Sequence, residues 1–127
     1  MTAEKKPPLK KKAMIKRGDV LLVDLNPARG SEQRKIRPCV VLQNDVGNLY
    51  SPVTIVACIT SGDKSLYETE VEVKAPEGGL RNNSLVLLNQ IRTIDKSRII
   101  GHCGELSPET MKLVNESLMV SLGLAGL

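Results

Sequence analysis

The 127-residue chain contains no phenylalanine and no tryptophan, and its aromatic rings of the Phe, Tyr and Trp kind are limited to Tyr50 and Tyr67. A module that only grips single-stranded nucleic acid stacks bases on aromatic platforms, so this shortage counts against such a module. His102 is the one histidine, which rules out a histidine pair and a zinc site built on one. Its neighbour Cys103 invites a catalytic dyad, but adjacent residues on a strand point to opposite faces, and His102 reads as structural or merely exposed. The cysteines, Cys39, Cys58 and Cys103, are odd in number and widely spaced, with no CxxC pair. Cys39 and Cys58 fall in apolar, strand-like runs and are expected to act as small buried hydrophobes. Carboxylates do not cluster as metal binding would require, so neither metal nor cofactor is expected. No apolar stretch approaches the length of a membrane span and no signal-peptide core is present. The expectation is a cytoplasmic protein with no membrane contact.

Charge of one sign is lacking in most of the chain, although the formal net charge is +4. In residues 1–13, Lys5, Lys6, Lys10, Lys11 and Lys12 stand against Glu4 alone. With 18 Lys and Arg against 14 Asp and Glu overall, everything after that segment balances. The basic character therefore belongs to the tail and not to the body. The tail has two prolines and no apolar periodicity, so residues 1–13 read as a disordered extension. Residues 14–127 form one domain by size, large enough to bury about two-thirds of the surface the unfolded chain exposes.

What is present is a series of short β-type segments. Apolar runs appear at 19–25 (DVLLVDL), 38–44 (PCVVLQN), 53–60 (VTIVACIT), 84–91 (SLVLLNQI) and 98–104 (RIIGHCG). Residues 68–74 (ETEVEVK) alternate charged and apolar with period two, the pattern of a strand wet on one face. Residues 45–52, with Gly47, Asn48 and Pro52, read as a loop, SGDKS and APEGG as turns, and RTIDKS as a short link in which Asp95 supports the turn. One segment has helical spacing. Ser107 is placed to cap it, Pro108 to fill its first position, and Glu109 to face the dipole of its first turn. Met111, Val114, Leu118, Met119 and Leu122 then form the stripe expected to face the core, and Gly123 the stop. The fold class expected is mainly β with a C-terminal α-helix, built on a small, strongly curved antiparallel sheet or barrel.

The segment GSEQRKIRP, residues 30–38, breaks the apolar rhythm with Glu32, Arg34, Lys35 and Arg37 beside Gly30 and Ser31, then closes on Pro38. Together with VACIT and LLNQIRTIDKSRI it closely resembles the MazF/PemK toxins of toxin–antitoxin systems. The combination of GSEQ, RP, a Thr-ended strand and QIRTID is specific, and the likeness runs from about Met14 to Leu124. The resemblance implies an SH3-like barrel with a terminal helix and a homodimer. It implies metal-independent cleavage of single-stranded RNA such as mRNA at short sequences, and a MazE-like antitoxin as partner. In the family pattern the arginine before proline and the threonine closing the strand carry catalysis, which here are Arg37 and Thr60. The acid of GSEQ is Glu32, a proton acceptor or an orienting group. Ser31 and Gln33 are placed to hydrogen-bond RNA, and Gln90 and Arg92 to line its groove.

The residues suit that chemistry on their own terms. RNA is cut without an activated water when the ribose 2′-OH attacks the neighbouring phosphorus. The catalyst then has to align the attack and stabilise the added negative charge. An arginine fork donates two parallel hydrogen bonds to phosphate oxygens and never loses its proton. Pro38 restricts Arg37 to extended backbone angles, and Thr60 adds a hydroxyl donor. Two other readings stay open: a noncatalytic nucleic-acid-binding barrel, and a toxin of the same broad fold that jams a topoisomerase without cutting.

Overall fold

The computed structural model describes residues 14–26 and 35–126. The basic tail, and Gly30, Ser31, Glu32, Gln33 and Arg34 of the charged segment, lie outside the described residues.

Six strands alternate with short helical pieces: β1 (Asp19–Asp24), β2 (Ile36–Val41), α1 (Asp45–Tyr50), β3 (Val53–Ser61), β4 (Glu70–Val73), a 3-10 turn (Glu77–Gly79), β5 (Ser84–Asp95), a second 3-10 turn (Lys96–Arg98), β6 (Ile99–Glu105) and α2 (Pro108–Ser121). The strands form one sheet in the order β4-β5-β3-β2-β1-β6, every pairing antiparallel. β4 and β6 are its edges, so the sheet is curved but not closed by backbone pairing. The expected mainly β architecture with a C-terminal helix is what the chain adopts.

Alternation along the strands builds a core on each side of the sheet. Val20, Val40, Ala57, Ile59, Val86 and Leu88 pack on the side that α2 covers through Val114. Leu21, Val23, Cys39, Val41, Val56 and Cys58 pack on the other, closed by Ile94 and Ile99. Cys39 and Cys58 are buried, as their apolar surroundings led us to expect.

The C-terminal helix starts where its sequence signals put it. The Ser107 hydroxyl accepts from the Thr110 amide at 3.1 Å, and Pro108 occupies the first turn. The Ser107 amide itself donates to Glu77 Oε2 at 3.0 Å. Gly123 takes the left-handed conformation at φ 75°, as a helix stop requires. The inward stripe differs from expectation in its second half. Val114 is buried and Met111 and Leu118 pack against the core, but Met119 and Leu122 are exposed. Ser117 and Ser121 take the inward positions instead, their hydroxyls donating to the carbonyls of Glu68 and Leu88, each at 2.6 Å. The helix is stitched to the turn before β4 and to β5 by hydrogen bonds where an apolar face was expected.

Residues 45–50, read as a loop, form α1. Asn44 caps it by accepting from the Gly47 amide at 2.7 Å. Such a short helix is marginal alone, and a buried polar knot holds this one. Asn48 is fully buried; its Oδ1 accepts from Thr54 Oγ1 at 2.7 Å and from Gln43 Nε2 at 3.1 Å, and its Nδ2 donates to the Gln43 carbonyl at 2.9 Å. Lys96 Nζ donates to the Asn48 carbonyl, tying in the second 3-10 turn. Thr54 is fully buried as well, so deleting the amide strands polar groups with no water to replace it. Asn48→Ala is expected to destabilise the fold by about 2–4 kcal/mol, read as a lower urea midpoint with unchanged slope. A loss under about 1 kcal/mol would show that the knot is dispensable.

The link RTIDKS is also ordered differently. β5 continues through it to Asp95. Asp95 does support the turn that follows, its Oδ1 accepting from the Ser97 amide at 2.8 Å.

Candidate functional site

The sheet splits along one seam. β2 and β3 pair only at Val41–Val56, Val40–Ala57 and Cys39–Cys58. Beyond that last pair, Ile36–Pro38 stay with β1, while Ile59–Ser61 stay with β5. Pro38 fits here, because a strand segment paired on one side tolerates a residue without an N–H. Arg37 lies two residues before Cys39, and Thr60 two residues after Cys58. Strand alternation puts Arg37 on the Cys39 face and Thr60 on the Cys58 face. The two side chains therefore stand across the opening, where they would have faced each other had pairing continued.

β5 widens the opening. Ala57 pairs with Ile91 while the next residue, Cys58, pairs with Leu87, so Leu88, Asn89 and Gln90 have no partner on β3. Leu88 turns into the core, its amide donating to the Thr69 carbonyl at 2.8 Å. Asn89 and Gln90 are left exposed. Bulges commonly re-aim side chains beside functional sites, and this one delivers Gln90 to the rim.

The result is a cleft of about 1130 Å³. Arg37, Thr60, Gln90 and Arg92 all line it, so the structure brings these four expected site residues together. Ser31, Glu32 and Gln33 lie outside the described residues. Among the described residues, the Leu25 amide donates to the Lys35 carbonyl at 2.8 Å and the Lys35 amide to Asn26 Oδ1 at 2.8 Å, and Leu25 and Lys35 both line the cleft. Arg98 Nη1 donates to the Asp24 carbonyl at 3.1 Å and also to that of Asn26, bracing the same corner.

Charge is distributed unevenly. Lys35, Arg37, Arg81 and Arg92 line the cleft, and no Asp or Glu is among its described lining residues. A body with no net charge thus concentrates positive potential in one concavity. Lys35 and Arg81 were not singled out from sequence. Arg81, with Asn82 and Asn83, directly precedes an apolar strand as Arg37 does, and that shared placement was the available signal.

Cys58 also lines the cleft, and its thiol is pulled down to about 6. The main cause is the adjoining Cys39 thiol, helped by the positive fields of Arg92 and Arg37 against an opposing burial cost; the Cys39 Sγ itself reaches the Arg37 carbonyl at 3.8 Å. The Cys39 thiol is pushed up by its contact with Cys58 and by burial. His102 is not among the residues lining the cleft; its side chain is largely exposed, with Nε2 3.5 Å from Oδ2 of buried Asp19. Among the described residues, no three His, Cys, Asp or Glu side chains converge as a metal site would need. No helix among them is long and apolar enough to cross a membrane.

The model of the PemK-like, MazF-like toxins of type II toxin–antitoxin systems matches residues 16–122. The chain belongs to this family. The endoribonuclease MazF of Staphylococcus saprophyticus is 49% identical over 112 residues, spanning 87% of this chain and 93% of its own. Among solved structures, a MazE–MazF complex from Deinococcus radiodurans superposes with a TM-score of 0.73 at 24% identity, covering 88% of this chain and 98% of that one. A mycobacterial endoribonuclease gives 0.73 at 23% identity, covering 90% and 96%. These two likenesses speak to the toxin fold, and the split sheet with its basic cleft is the form that fold takes here.

Proposed function

We propose that this family member is the endoribonuclease toxin of its system and cuts single-stranded RNA, mRNA included, without a metal ion. The observation that carries the reading is the cleft, which sets Arg37 opposite Thr60 among four cations and no described acid. A polyanion with a reactive 2′-OH is the substrate such a surface suits. The 2′-oxygen attacks phosphorus, the P–O5′ bond breaks, and the 5′ oxygen leaves as a hydroxyl. Arg37 donates its fork to the phosphate oxygens as charge builds, and Thr60 adds a hydroxyl donor. Gln90 and Arg92 hold the flanking nucleotides. Glu32 takes the attacking proton or orients the hydroxyl, with Ser31 and Gln33 beside it on RNA.

The MazE–MazF complex from Deinococcus radiodurans and a mycobacterial endoribonuclease bound to its cognate antitoxin support the partner reading. This chain pairs with a MazE-like antitoxin and acts as a homodimer in the cytoplasm.

The test is incubation of purified protein with mixed RNA in excess EDTA, with mapping of new 5′ ends. Cutting at short recurring sequences that leaves 5′-hydroxyl ends is expected. Activity lost in EDTA and restored by Mg²⁺ or Mn²⁺, or 5′-phosphate ends, would overturn the mechanism. RNA held but left intact would favour a noncatalytic barrel. Neither binding nor cutting would favour the topoisomerase reading.

A further inference from the structure

The rung at which β2 and β3 part carries two thiols. Cys39 and Cys58 are register partners on adjacent antiparallel strands, and neither is bridged. Directly opposed residues hold their Cβ atoms about 4.5–5.5 Å apart, close to the roughly 3.5–4.5 Å that a disulfide spans. Cys39 is fully enclosed, whereas Cys58 keeps 6% of its surface and lines the cleft. The unpartnered stretch of β5 begins directly after Leu87, the β5 partner of Cys58. Cys39 and Arg37 on β2 and Arg92 on β5 are the groups that act on the Cys58 thiol. Cys103, on β6, is half-buried and also lines the cleft, but it has no register partner on β1, and burial pushes its thiol up.

We propose that Cys58 and Cys39 are a peroxide-oxidised thiol pair at the floor of the cleft, closing to a disulfide that slows RNA cleavage. The Cys58 thiolate attacks hydrogen peroxide; the S–O bond forms, the O–O bond breaks, and the departing hydroxide is protonated to water. Cys39 sulfur then attacks Cys58 sulfur. The S–S bond forms as the S–O bond breaks, and the Cys39 proton leaves with hydroxide as a second water. Two thiols become one disulfide and the peroxide two waters. The closed rung lies two residues from Arg37 and from Thr60, so any shift it imposes passes directly to both. The effect on cleavage rests on the function proposed above, whereas the bond itself does not.

The full chain, treated with hydrogen peroxide and digested without reduction, decides the matter by mass spectrometry. A linked pair of peptides holding Cys39 and Cys58 is expected in the parent and in Cys103→Ser, and it should disappear with dithiothreitol. In Cys39→Ser, Cys58 should instead be trapped by dimedone as a sulfenic acid. In the parent, loss of the Cys58 thiol should rise through a pH below the roughly pH 8.5 of an ordinary thiol. The oxidised parent should cut RNA roughly 10- to 100-fold more slowly, with recovery on reduction. Oxidation confined to Cys103, a link to Cys103, or no thiol loss would overturn the pair. A Cys39–Cys58 link with unchanged cleavage would overturn its control of the reaction. A reduced protein that never cuts RNA would instead overturn the function above, with the linked peptides still readable.

Discussion

Arg37→Lys is expected to slow RNA cleavage by about 10²–10³-fold, the typical cost of losing one pre-aimed donor to developing charge. It should still bind an RNA made uncleavable by a 2′-deoxy substitution at the cut site. The lysine keeps the charge but replaces a planar fork with a point donor, so the loss reads geometry and not electrostatics. Arg37→Ala should be slower again. Arg81→Ala is the contrast: it removes a cation from the same cleft but not from the opening between β2 and β3. It should raise KM and lower the slope of binding against salt by about 0.7, with kcat retained. Single-turnover rates at saturating enzyme separate the two effects. If Arg37→Lys cuts like the parent, or Arg81→Ala loses kcat instead, the role assigned to Arg37 is wrong.

The residue types proposed for this site were legible in the sequence, and their arrangement was not. An arginine ahead of a proline and a threonine ending an apolar run announce their types. What brings them together is the parting of β2 from β3 after the Cys39–Cys58 pair, a matter of register that no single strand encodes. The same holds for the charge. Counting residues along the chain assigned the net charge to residues 1–13, yet folding gathers Lys35, Arg37, Arg81 and Arg92 around one cleft. Balance along a sequence does not imply balance across a surface.

Local signals succeeded where the cause is local. Ser107, Pro108 and Gly123 act within a turn of where they stand, and the helix ends where they say. They failed where tertiary bonds decide. Gly47 and Asn48 are loop formers by composition, but Asn48 serves as the buried hub that makes α1. Met119 and Leu122 look like core residues, but the turn before β4 and strand β5 offer carbonyls at Glu68 and Leu88 that two serines satisfy. The helix is rotated toward its hydroxyls.

Gly79→Ala should cost more stability than any surface substitution in this chain, and Gly123→Ala shows why. Both glycines have positive φ, 72° and 75°, so an alanine at either pays about 1–2 kcal/mol for the left-handed backbone. Their surroundings differ. A Cβ at Gly123 meets nothing within 4 Å, whereas one at Gly79 would lie 2.0 Å from the Cys103 carbonyl oxygen. That contact is with backbone, which cannot swing aside as a side chain would. The 3-10 turn must then separate from β6, breaking the wall that carries Arg81 into the cleft. Gly79→Ala is expected to lose more than about 4 kcal/mol and to melt at least about 10 °C lower, with RNA cleavage falling as the folded fraction falls. Gly123→Ala should lose only the backbone share and cut RNA like the parent. Thermal melts of the two variants side by side isolate the clash from the strain. Equal losses would mean that the close approach of Gly79 to β6 is not what demands a glycine there.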